Sequence, residues 1–70
     1  MLTITFDKIK IGGLYLATYY IPETSHQFIV FVTSKSAYQE NMFHVPLIYG
    51  ISGYKKERIE YFNYYFEELT

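Results

Sequence analysis

Gln27-Phe28-Ile29-Val30-Phe31-Val32-Thr33 is the stretch on which the fold of this 70-residue chain turns. Its five apolar residues are β-branched or aromatic, with polar residues on both sides. That is the signature of a strand apolar on both faces, and so of the central strand of a sheet.

The flanks extend the pattern outward. Upstream, Pro22-Glu23-Thr24-Ser25 collects turn formers, and before it Leu14-Tyr15-Leu16-Ala17-Thr18-Tyr19-Tyr20 is rich in rings that suit a pleated surface. This predicts a second strand, with Leu14 and Leu16 facing the core and Tyr15 and Tyr19 the opposite side. Gly12-Gly13 punctuates, and Leu2, Ile4 and Phe6 alternating with Thr3, Thr5 and Asp7 predict a first strand at 2 to 6. Downstream, Ser34 to Asn41 is polar and is expected to be a loop. Phe43, Val45 and Leu47 then alternate with His44 and Pro46 through to Tyr49. Because proline has no ladder donor, this strand should lie at an edge or carry a bulge at Pro46.

The segment Lys55 to Leu69 supports two periods. Ile59, Phe62, Phe66 and Leu69 fall on one helical face, but Lys55, Lys56 and Arg58 lead and Glu67 and Glu68 trail, against the helix dipole. Arg58, Ile59, Glu60 and Tyr61 alternate as a strand does. The expectation is a fifth strand at 57 to 61, then one or two helical turns to 69. The expected core is Phe28, Val30, Val32, Val45 and Leu47.

Five short strands with short connections predict a mainly β fold in a single domain, 1 to 70. The architecture is a small antiparallel five-stranded meander or partly open barrel with a short C-terminal helical turn. Ile9-Lys10-Ile11-Gly12-Gly13-Leu14-Tyr15, followed by long hairpins and a terminal aromatic strand, resembles the opening of SH3-like small barrels. That resemblance implies a layout and transfers no functional residue, since the fold hosts peptide binders, nucleic-acid binders and toxins alike.

Composition narrows the classes. The chain is 50% hydrophobic and 21% aromatic, with six Phe and nine Tyr, so it has enough apolar surface to fold. It has no cysteine, which excludes disulfides and most zinc sites. No apolar run approaches the roughly 20 residues of a membrane-spanning helix, and Met1-Leu2-Thr3-Ile4-Thr5 has no signal-peptide character, so the cytoplasm is the expected compartment. Phe, Tyr, Ile, Lys, Asn and Met outnumber Gly, Ala, Arg and Pro by 32 to 9, as A/T-rich coding produces.

Candidate chemistry is sparse. Ser25, His26 and Asp7 have the residue types of a triad, but neighbours on a strand point to opposite faces. His26 and His44 lack the clustered spacing of metal ligands, and Glu67-Glu68 is expected to be a solvated tail. Gly50-Ile51-Ser52-Gly53 lacks the lysine of a phosphate-binding loop and is expected to be a turn. No catalytic residue, metal or cofactor is expected. One basic and aromatic cluster, Tyr54, Lys55, Lys56, Arg58 and Tyr61, has the residue types of a nucleic-acid surface. The net charge of −1, and Glu57 and Glu60 within the cluster, weaken it as a phosphate-binding footprint.

The aromatic surplus is the stronger signal. A barrel this small cannot enclose so many rings, and tyrosine is the ring best suited to an interface. The expected function is therefore a non-enzymatic protein-binding module using Tyr15, Tyr19, Tyr20, Tyr64 and Tyr65, with another protein or a second copy as partner. In general appearance it is similar to small phage or mobile-element inhibitors that occlude a surface of a host defence or metabolic protein. The alternatives are an RNA-binding module built on the Tyr54 to Tyr61 cluster and, behind it, an RNase toxin of the SH3-like sort.

Overall fold

The structure is a computed structural model and describes residues 3–20 and 26–69. It is mainly β. The strands are β1 (Leu14–Tyr19), β2 (Gln27–Glu40), β3 (Phe43–Ser52), β4 (Lys55–Glu60) and β5 (Tyr64–Glu68). All pair antiparallel in one sheet of order β4-β3-β2-β1-β5, which does not close. The turn expected at Pro22 to Ser25 lies outside the described residues.

The 27 to 33 stretch is indeed central, but β2 runs on to Glu40, through residues expected to form a loop. Polarity alone misled there. A hairpin needs only two turn residues, and Asn41, at φ 57°, supplies the positive φ that a tight turn requires. Ser34 to Glu40 is then free to pair along Tyr49 to Phe43.

Between Val32↔Gly50 and Ser34↔Tyr49 the register slips by one residue. Thr33 is the extra residue of this bulge, and its Oγ1 donates to the Tyr49 carbonyl at 3.2 Å. The slip inverts the alternation. Phe28, Val30 and Val32 face the core before it, and Lys35, paired with buried Ile48, lies on that side after it.

The core face is Tyr15 and Ala17 of β1, Val30 and Val32 of β2, Ile48 of β3, Ile59 of β4 and Phe66 of β5, with Ile9 buried in the same cluster. This reverses the expectation for β1, where Tyr15 rather than Leu14 or Leu16 is buried. The Tyr15 hydroxyl accepts the Lys10 backbone N–H at 2.8 Å, so the one polar atom of that side chain is satisfied inside. Ala17 is flanked in register by Phe28 and Phe66, whose rings leave room for little more than a methyl. Gly50 is equally constrained, since a Cβ there would lie 2.6 Å from the Phe31 carbonyl oxygen.

Of the expected core, Val30 and Val32 are buried, and Phe28 is half-buried against them. Leu47 is buried apart from the main cluster, and Val45 is half-buried.

Both chain ends depart from expectation. Residues 3–5 form no strand, and Phe6–Lys8 is a single 3-10 turn. Thr3 and Ile4 instead lie along the outer edge of β5: Ile4 N–H donates to Phe66 O at 3.1 Å, and Phe66 N–H donates to Thr3 Oγ1 at 2.9 Å. The Tyr61 hydroxyl fastens the same segment by donating to Ile4 O at 2.6 Å. At the other end there is no helical face. Tyr61–Asn63 is a 3-10 turn, Tyr64 to Glu68 is a strand, and Phe62 is exposed. The β-favouring Tyr64-Tyr65-Phe66 run and the adverse charge order weaken the helical reading, and pairing with β1 decides for a strand.

Candidate protein-binding face

β2 is apolar on both faces, as its sequence reads, but only one of them is covered. Ile29 and Phe31 lie on the face away from the core, where they remain 52% and 45% exposed. Pairing aligns them with other apolar side chains. Leu14 stands opposite Phe31, and Phe31 opposite Ile51, which is 43% exposed. Leu16 stands opposite Ile29 in the next row. Leu69, 42% exposed, extends the first row beyond Leu14, to whose carbonyl its N–H donates at 2.9 Å. The result is an apolar strip across β1, β2 and β3.

Beside this strip Thr33, Tyr49, Gly50, Ile51, Lys56 and Glu57 line a shallow depression of about 310 Å³, room enough for one large side chain. Lys56 and Arg58 border the strip on β4, and Glu67 borders it on β5, each placed by the pairing of alternate residues. Arg58 is held in place: its guanidinium lies 5.6 Å from the Tyr38 ring centroid and 3.8 Å from Glu60. Hydrogen bonding to Tyr49 holds its pKa above the ordinary value.

No protein-family model, curated protein or solved structure matches this chain.

The five tyrosines expected to form a binding surface are divided by the sheet. Tyr15 is fully buried, which corrects its expected exposure. Tyr19 and Tyr64 lie on the core side, half-buried and edge-to-face at 5.0 Å, with Tyr64 also against Phe28 at 5.6 Å. Burial pushes the Tyr64 phenol above its ordinary pKa. Tyr20 and Tyr65 are on the outer face, with ring centroids 5.2 Å apart and Tyr20 59% exposed. The Tyr65 phenol is raised by desolvation, with the hydrogen bond its O–H donates to Tyr20 adding to it. This pair sits at one end of the strip, since Tyr65 is opposite Thr18, two residues along β1 from Leu16.

The basic and aromatic cluster is dispersed. Tyr54 is fully exposed in the β3–β4 turn, and Lys55 and Lys56 point to opposite faces of β4. Tyr61 is tied to Ile4 and stacked on Phe66 at 5.7 Å and 6°. Only Lys56 and Arg58 share the outer face. His26 and His44 are both exposed, and no group of three or more metal-ligating side chains occurs among the described residues. Ser25 lies outside those residues. No helix among them is long and apolar enough to cross a membrane.

Sequence reasoning missed Ile29, Phe31 and Ile51 as surface residues, and missed half-buried Leu14 and Leu16 as members of the same outer face. The signal was present in the unbroken Phe28 to Val32 run, which has two apolar residues more than its one buried face requires.

Proposed function

We propose that this chain is a non-enzymatic protein-binding module that engages its partner through the outer face of its sheet. The observation that carries the reading is the in-register row of Leu14, Phe31 and Ile51, with Ile29 and Leu16 beside it, in which Phe31, Ile51 and Ile29 are open to solvent and the two leucines are half-buried. Contiguous exposed apolar surface of this kind marks an interaction site, whereas scattered single residues do not. The Tyr20–Tyr65 pair and the depression beside Ile51 fit the anchor-and-pocket anatomy in which a few rings supply most of the binding energy. Binding of this kind acts by occlusion, covering whatever surface the partner presents.

Site-specific photocrosslinking tests the reading. With a photoreactive phenylalanine analogue in place of Phe31 or Ile51, we expect one heterologous protein in the native host extract to be captured at both positions. The same analogue at Tyr54, off the strip, should capture nothing. Capture at Tyr54 alone, or at none of the three, refutes the assignment of this face. Capture should persist between 50 and 200 mM salt, where a phosphate-driven complex would weaken by about 10³-fold or more.

A further inference from the structure

The rim of a sheet leaves N–H and C=O groups unpaired, and proteins blunt such rims with charge, proline or a covering segment. Three stretches of rim here are blunted. The outer edge of β4 carries Lys55, Lys56, Glu57, Arg58 and Glu60, and that of β5 is covered by Thr3 and Ile4. Phe43 to Pro46 of β3, which runs past the end of β4, holds a proline.

Among the described residues, nothing covers the fourth stretch. β1 pairs with β2 from Gln27 to Phe31, and Gly12 and Gly13 continue the backbone bonds to Val32. Beyond that, the Lys35 side chain crosses the edge, its Nζ donating to Phe6 O at 3.1 Å and lying over the Phe6 ring. From Ser36 to Glu40, among the described residues, β2 pairs with β3 alone. That stretch contains no proline, and its single charge is at its end.

Which groups face outward follows from the turn. Asn41-Met42 is a two-residue loop, closed by the pair Glu40↔Phe43. Such loops are closed by a hydrogen-bonded pair, so alternation makes Tyr38↔Val45 and Ser36↔Leu47 bonded pairs as well. Ala37 and Gln39 therefore direct their N–H and C=O groups away from β3. The same alternation puts Ala37↔Pro46 at a non-bonded position, which is how β3 accommodates a proline without losing a bond to β2.

We propose that a second copy of this chain fills that edge. The two β2 strands pair antiparallel about a twofold axis through Tyr38, with Ala37 of each copy exchanging bonds with Gln39 of the other. Only an extended backbone can satisfy a strand edge, and a twofold axis normal to the sheet makes such an edge its own complement. Centring at Tyr38 uses every outward group of Ala37 and Gln39. It sets the two Tyr38 rings against each other at a non-bonded pair, where side chains approach most closely. It places Ser36 opposite Glu40, so no like charges meet. It also brings each Asn41-Met42 turn beside Ser34 and Lys35 of the other copy. Met42 and the adjoining Phe43, 90% and 72% exposed, thereby gain a neighbour.

Sedimentation equilibrium of the full chain across the micromolar range tests this pairing. Wild type should form a dimer, and Phe31→Lys, on the outer face, should leave it intact. A synthetic chain N-methylated at Ala37 should sediment as a monomer with an unchanged circular dichroism spectrum. Tyr38→Glu and Tyr38→Lys should each be monomeric through self-repulsion, and their equimolar mixture should recover the dimer, which also shows that both variants are folded. A wild type monomeric throughout, an N-methylated chain that still dimerises, or a mixture that fails to recover the dimer overturns the proposal. Loss of the dimer in Phe31→Lys alone would move self-association to the outer face and equally refute the edge. The outcomes that refute the edge without involving Phe31 leave capture of a heterologous protein at Phe31 unaffected, so the proposed function is tested separately.

Discussion

Replacing Phe31 with lysine separates binding from folding at the centre of the outer face. A fully enclosed aromatic side chain removes about 150–250 Å² from water. Phe31 is 45% exposed in the free chain, so a partner that covers it buries roughly 70–110 Å² more, worth about 2–3 kcal/mol at ~25 cal/mol per Å². That corresponds to a loss of about 20- to 150-fold in affinity, and a charge that cannot be solvated in the complex adds to it. In the free chain the change is mild, because the lysine stem still packs along Leu14 and Ile51 while its ammonium stays in water. The expected fall in melting temperature is no more than about 5 °C, equivalent to ~1 kcal/mol in a domain this small. The assay pairs titration calorimetry against the partner captured at Phe31 with thermal denaturation of the free variant. A variant that melts like wild type and binds with unchanged affinity refutes the placement of the interface. A variant that unfolds outright refutes the claim that this side of β2 is open.

Three further outcomes test the packing. Gly50→Ala should cost about 1–3 kcal/mol in urea denaturation, because its Cβ meets the Phe31 carbonyl oxygen and the Val30 side chain and β2 must shift. Tyr15→Phe should cost about 1–2 kcal/mol, since it orphans the Lys10 N–H held by the hydroxyl; a neutral result would show that water replaces the bond. Stability should also fall in alkali. The Tyr64 phenol is raised in the folded chain, so the unfolded chain loses its proton first; the contribution is complete below about pH 10 and declines as pH rises through the folded value. Tyr64→Phe should flatten that decline in pH-dependent denaturation, and an unchanged slope assigns it to another group, Tyr65 being the next candidate.

Local chemistry alone determined much of the sheet. The apolar run at 28 to 32, the glycines before β1 and in the β3–β4 turn, and the alternation from Phe43 to Leu47 made four of the five strands legible, because turn residues and side-chain period act over a few positions. Pro46 was also readable, as a residue that must avoid a ladder bond.

Tertiary structure decided the rest. Which side of β1 is buried depended on whether the Tyr15 hydroxyl could find a donor, and that donor, Lys10 N–H, is positioned by the backbone of a preceding turn rather than by any residue type. Tyr64 to Glu68 became a strand because β1 offered it an edge; nothing within the segment outweighs its helical spacing as plainly as the pairing of Ala17 with Phe66 does. The open outer face followed from the same contingency. A run apolar at every position states that two faces could be buried, but whether a second layer covers the outer one depends on how the remaining strands return, and here they all return to a single sheet.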